Sequence, residues 1–140
     1  MNITKNRVNI FDCPIDNLTM VETISLIDFN IKNKILTHHV VVNAAKLVYI
    51  KDNISLFNSV VECDIINADG QAVVWASKIL NYPLKERVTG IDLMYNLIKL
   101  SVKNNYKIFF LGSDEINIKK TIVQISKQYN KNIIAGYHNG

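Results

Sequence analysis

The chain has 140 residues, 49% hydrophobic, 20% charged and 9% aromatic, with a net charge of +4 from 16 basic and 12 acidic side chains. That is the size and composition of one folded domain rather than a disordered segment, and no apolar run approaches the roughly 20 residues of a membrane span. The lysines, Lys119-Lys120 and Lys127 among them, are scattered rather than interleaved with aromatics. That argues against nucleic acid and suits anionic small molecules or an anionic membrane face.

The opening Met1-Asn2-Ile3-Thr4-Lys5-Asn6-Arg7 lacks the apolar core of a signal peptide, so a cytoplasmic location is expected. Val8 to Phe11 reads as a short strand with Asp12-Cys13-Pro14 as a turn. Cys13 and Cys63 have no CxxC spacing and are expected to be inert thiols. Thr19-Met20-Val21-Glu22 has capping-box spacing, and Ile24, Leu26, Ile27 and Ile31 follow at helical intervals. His39 to Val42 is a β-branched run ending at Asn43, Ala44 to Lys51 has helical character, and Asn53 is placed to cap a short helix through Leu56, Phe57 and Val60.

The pattern then continues as strand Ile65–Ala68, helices Gln71–Leu80 and Asp92–Asn104, strand Lys107–Leu111, helix Asp114–Tyr129 and strand Asn132–Ala135. Strands alternating with helices imply parallel β-α units, and nearly all-apolar strands imply a sheet covered on both faces. The expected fold is therefore α/β, a Rossmann-like open, mostly parallel sheet flanked by helices, in a single domain over residues 1–140. Trp75, Ile79 and Leu80 on one helix, and Tyr95, Leu97, Ile98 and Val102 on the next, are expected in the core.

In such a fold ligands bind at the carboxyl ends of the strands. Three loops lie there: Asn43, Asp69-Gly70 and Gly112-Ser113. Asn43 can donate and accept hydrogen bonds, and Asp69 can accept a proton. Gly70 allows a sharp turn, while Gly112-Ser113 opens onto a helix N-terminus suited to phosphate. In Glu86-Arg87-Val88-Thr89-Gly90-Ile91-Asp92, Arg87 and Thr89 precede a helix and are placed to hold a diphosphate. The plainer alternative is that Thr89 or Asp92 caps that helix and Arg87 pairs with a surface acid. His38 and His39 are adjacent on a strand and so face opposite ways, His138 is isolated, and there is no D-x-D, so no metal is expected.

Val41-Val42-Asn43, Asn67-Ala68-Asp69-Gly70, Glu86-Arg87-Val88-Thr89-Gly90-Ile91-Asp92-Leu93 and Ile108-Phe109-Phe110-Leu111-Gly112-Ser113 together resemble the WecG/TagA/CpsF glycosyltransferases, in that family's order and approximate spacing. The resemblance runs from about Val8 to Gly140 and implies an inverting, metal-independent transferase with no cofactor. Such an enzyme moves an N-acetylmannosamine-type sugar from a UDP-sugar donor to a lipid-diphosphate-linked sugar acceptor, undecaprenyl-diphosphate-linked. It works peripherally at the inner face of the cell membrane, in teichoic acid or cell-surface polysaccharide synthesis. By the same resemblance Asp69 matches the proposed base, and Asn43 and Arg87 line the substrate pocket. Val41 stands where many members carry a threonine, so a hydroxyl is absent there. Members usually run longer, so this chain is expected to lack the family's C-terminal part, and a homo-oligomer is expected.

A competing reading is a non-catalytic Rossmann-like module that binds a nucleotide sugar or assists assembly. A dinucleotide-dependent oxidoreductase fits poorly, because no G-x-G-x-x-G follows any of the expected strands.

Overall fold

The computed structural model describes residues 6–129 and 131–140; Met1 to Lys5, and with them most of the segment read above for a signal peptide, lie outside the described residues. The protein is mixed α/β, with six α-helices among the described residues and three strand pairs. It divides into two compact units, the first ending at Leu93 and the second beginning at Met94.

In the first unit, β1 (Arg7–Ile10) and β2 (Cys13–Asp16) form an antiparallel hairpin. Its turn is Phe11-Asp12, both at positive φ (50° and 65°), the backbone of a two-residue hairpin turn whose twist matches the strands. The expected turn at Asp12-Cys13-Pro14 is thus displaced by a residue or two, and Cys13 and Pro14 belong to a strand the sequence reading did not anticipate. Helix α1 (Met20–Lys32) carries the capping box in full: the Thr19 side chain accepts from the Glu22 amide, and the Glu22 carboxylate accepts from the Thr19 amide.

The parallel pair β3 (His39–Val42) and β4 (Ile65–Ala68) forms the centre of this unit, in register from His39↔Ile65 to Val42↔Ala68. Between them run α2 (Ala44–Asp52), capped by Asn43, and α3 (Ile54–Val61), capped by Asn53 as expected. Helix α4 (Gln71–Ile79) follows β4. Ile10, Cys13, Ile15, Val42, Leu47, Ile66 and Val73 bury against one another as the core, each large apolar side chain contributing about 1.5–3 kcal/mol.

Beneath the core lies a buried polar lattice. Asp16, 2% exposed, accepts from Arg7 Nε at 2.9 Å and from the Ile66 amide at 2.8 Å. Arg7 also donates to the carbonyls of Cys63 and Asp64. The hairpin is therefore tied to β4 by a side chain rather than by a strand ladder. A second lattice joins three elements: Asn67 Nδ2 donates to Thr23 Oγ1 at 3.1 Å, and Asn67 Oδ1 lies 2.9 Å from His39 Nε2. His38 precedes β3, and its amide donates to Asp64.

In the second unit, α5 (Gly90–Asn104, which begins in the first) leads to β5 (Ile108–Leu111), α6 (Glu115–Gln128), a 3₁₀ turn (Lys131–Ile133) and β6 (Ile134–His138). Strands β5 and β6 pair in parallel, with an irregularity between Ile108 and Phe109. Ile98, Ile125 and Ile133 form a small core, joined by Ile108, Phe110 and Ile134. β5 alternates, with Phe109 and Leu111 exposed, so it is not the uniformly covered strand its composition suggests.

Several expected core residues lie outside. Trp75 is 61% and Ile79 80% exposed, and Leu80, Tyr95 and Val102 are exposed as well. The buried side of α4 is Val73, Val74 and Ser77, and that of α5 includes Ile98 and Ser101. Both helices are apolar on more than one side, so their periodicity did not single out the inward stripe. Among the described residues no helix is long and apolar enough to cross a membrane.

Candidate functional site

The carboxyl ends of β3 and β4 lie side by side because Val42 and Ala68 are the last register pair, and the Asp69 amide continues the ladder by donating to the Val42 carbonyl at 2.8 Å. This sets Asn43 and Asp69 on one edge. The loop 86–89 joins them there: the Val88 amide donates to the Ala68 carbonyl at 2.9 Å, and the Val88 side chain is buried. Arg87 and Thr89, flanking Val88, are thereby held next to the end of β4.

Each side chain on this edge has a definite condition. Asp69 is half-buried, and among the described residues its carboxylate has no ion pair or hydrogen bond. Arg87 is exposed and likewise free, so the surface acid considered for it is not found among the described residues. Asn43 is exposed; its Oδ1 caps α2 by accepting from the Lys46 amide at 2.9 Å, which leaves its Nδ2 hydrogens available. Thr89 does act as a cap ahead of α5: its hydroxyl donates to Asp92 Oδ2 at 2.6 Å and accepts from the Asp92 amide at 3.1 Å. That hydroxyl is therefore occupied.

Gly70 turns the chain from β4 into α4 at φ 110°, ψ 138°, a backbone only glycine adopts readily, and provides no side-chain cap. The Val73 amide turns back to the Gly70 carbonyl at 3.2 Å, and no side chain caps the amides before it, as helix N-termini leave them. Behind the edge, the loop before Arg87 is strapped to α1. Lys85 Nζ reaches both oxygens of Glu22 at 2.7 and 2.9 Å, holding that carboxyl below its usual range, and its amide donates to Asn17 Oδ1. Glu86 accepts from the Met20 amide.

Gly112 and Ser113 belong to the second unit. Both have positive φ (118° and 69°); the Gly112 amide donates to the His138 carbonyl, and the Ser113 carbonyl accepts from the Gly140 amide. The helix N-terminus that follows is already served by a carboxylate. Asp114 accepts from the Asn117 amide at 2.8 Å, a bond that lowers its pKa. The anion position open at α4 is thus filled by the protein's own side chain at α6.

Sequence reasoning passed over Lys46, whose ammonium donates to the Val41 carbonyl at 2.8 Å just before the strand end, and over the Thr23–Asn67–His39 lattice two residues before Asp69. Lysine three residues after a capping asparagine was the available signal for the first; the second needed long-range pairing. Gly90 packs against the Val41 side chain, where an added Cβ would meet Val41 Cγ2 at 3.4 Å. No three His, Cys, Asp or Glu side chains converge among the described residues.

These features define an α/β protein with a carboxylate, an amide and a guanidinium gathered on one strand edge. The chain belongs to the glycosyl transferase WecG/TagA/CpsF family, whose sequence profile matches residues 8–140. Among its relatives, the N-acetylglucosaminyldiphosphoundecaprenol N-acetyl-beta-D-mannosaminyltransferase of Staphylococcus aureus (strain NCTC 8325 / PS 47) is 28% identical over 136 residues, covering 96% of this chain and 53% of the relative. The protein of the same name from Bacillus spizizenii (strain ATCC 23059 / NRRL B-14472 / W23) is 34% identical over 77 residues, 55% of this chain and 30% of the relative. The chain spans about half the length of the Staphylococcus aureus relative it matches.

Proposed function

We infer that this chain is a single glycosyltransferase core domain with a Rossmann-like arrangement. It transfers an N-acetylmannosamine-type sugar from a UDP-sugar to a sugar carried on undecaprenyl diphosphate, at the inner face of the membrane. The observation that carries this reading is the Asp69 carboxylate: half-buried, unpaired and set on the strand edge between Asn43 and the 86–89 loop.

In the proposed step an acceptor hydroxyl attacks the anomeric carbon of the donor. Asp69 takes the hydroxyl proton, and the bond from that carbon to the diphosphate oxygen breaks on the opposite face. The configuration inverts and UDP leaves with the electron pair. A positioned base of this kind contributes about 10²–10⁴-fold. Arg87 and the uncapped amides of α4 behind Gly70 meet the charge that develops on the diphosphate, and Asn43 Nδ2 orients a donor hydroxyl or acyl oxygen. Gly112 and Ser113 are kept as further proposed substrate contacts, and Thr89 through its placement of the 86–89 loop rather than through its occupied hydroxyl. The exposed lysines of α6, Lys119, Lys120 and Lys127, suit an anionic membrane face.

The test is Asp69→Ala, assayed for sugar transfer to a lipid-diphosphate acceptor and for UDP binding by calorimetry. Transfer is expected to fall by about 10²–10⁴-fold with UDP affinity kept within a few-fold. Turnover surviving within a few-fold removes Asp69 as the base. If the unsubstituted chain binds UDP and shows no turnover, the binding-module reading is favoured instead.

A further inference from the structure

Between α2 and α4 the first unit has an apolar groove of about 200 Å³. Its walls are one face of each helix, Ala44, Val48 and Lys51 at helical spacing on α2 and Ala72 and Ala76 on α4, with Phe11 of the hairpin turn at one side. The groove starts at the candidate site: Ala44 directly follows Asn43, and Ala72 lies two residues after Gly70. From Ala44 to Lys51 the helix advances by roughly 10 Å. At that end the Lys51 ammonium sits over the Phe11 ring, 5.1 Å from its centre, and among the described residues it has no carboxylate partner. An aromatic ring with an unneutralised lysine is the pairing proteins place at a membrane interface.

We propose that this groove holds the first isoprene units of the acceptor's polyprenyl chain, with the diphosphate at the Asp69 end and the chain leaving toward the bilayer past Phe11 and Lys51. The inference rests on the reading of the Asp69 edge as a lipid-diphosphate glycosyltransferase site. Two properties select this occupant. The walls are small and apolar and offer no polar side chain but Lys51, so they suit branched hydrocarbon and not a sugar or nucleotide. The only charge on the groove is positive and lies at the far mouth, where it complements lipid phosphates and does not compete with the diphosphate at the catalytic end.

The experiment uses the whole chain with farnesyl diphosphate and inorganic diphosphate as probes. The reporter is the fluorescence of Trp75, the sole tryptophan, which is exposed on α4 beside Ala76. Farnesyl diphosphate is expected to bind at least tenfold more tightly than inorganic diphosphate. Ala76→Phe, which fills the groove, and Val48→Asp, an exposed position that makes it polar, should each remove that preference. Val48→Asp keeps the test decisive if Ala76→Phe fails to fold. UDP titration separates the two readings. UDP binding with no farnesyl preference, or with a preference indifferent to both substitutions, overturns the groove and leaves the proposed function standing.

Discussion

Asp16 offers a measure of how far a single buried side chain holds the first unit together. Asp16→Ala removes two acceptors at once. The Ile66 amide, on a strand residue with no exposure, loses its 2.8 Å partner, and an orphaned buried N–H costs about 1–3 kcal/mol. Arg7 loses its 2.9 Å ion pair, but its side chain is 29% exposed and keeps the carbonyls of Cys63 and Asp64, so this loss falls at the low end for a charged bond, about 1.5 kcal/mol. Together these give about 2.5–4.5 kcal/mol, overlapping the range for breaking one side of a buried pair and a large part of a domain's stability. In urea, with an m value of about 2 kcal/mol/M, the midpoint should drop by roughly 1.2–2.2 M. Trp75 fluorescence is the suitable readout because it reports on the unit that contains Asp16. Asp16→Asn, which retains one acceptor, should lie between. Lys119→Ala, which breaks an exposed pair with Glu115 one turn away, should leave the midpoint in place. Equal midpoints for Asp16→Ala and Lys119→Ala would refute the claim that this carboxylate ties the hairpin to β4.

Three other substitutions or reactions probe the same unit. Burial, the largest influence, lowers the His39 pKa from 6.5, against the smaller raising effects of Asn67 and Asp16. The unfolded imidazole therefore takes up a proton that the folded one resists, and stability present above pH 6.5 declines as the pH falls below it. His39→Gln should shrink the difference in urea midpoint between pH 7.5 and 5.5; an unchanged difference counts against the burial argument. The Cys13 thiol is pushed up to about 11 by burial, and Cys63, also raised by burial, is only half-buried. Iodoacetamide at pH 8 should modify Cys63 first and Cys13 only in denaturant, as mapped by mass spectrometry, and equal rates would contradict the packing. At Gly70 no atom lies within 4 Å of an added Cβ, so Gly70→Ala tests backbone strain alone. It should cost about 1–3 kcal/mol in urea unfolding, and a neutral substitution would mean that φ 110° is not held.

What could be read in the sequence was local. Asn53 and the Thr19–Glu22 box announce their helices within four residues, and the runs His39–Val42 and Ile65–Ala68 became strands with the boundaries read for them. The hairpin turn escaped notice because Phe11 and Asp12 take positive φ without glycine, while Asp-Cys-Pro beside them looks more turn-like. The lattices Arg7–Asp16–Ile66 and Thr23–Asn67–His39 join positions far apart in the chain, and no periodicity reports them. The candidate site stands between these cases. Asp69 and Gly70 were legible as the end of a strand before a helix, but Arg87 was ambiguous between a ligand contact and a surface ion pair. What positions Arg87 is a residue without polar chemistry. Val88 buries its side chain and gives its amide to Ala68, so apolar packing holds a free guanidinium beside the end of β4. Val88→Asn should therefore weaken the anion binding proposed for Arg87 without touching any charged group, read as a higher Kd for inorganic diphosphate, and an unchanged Kd would refute the link.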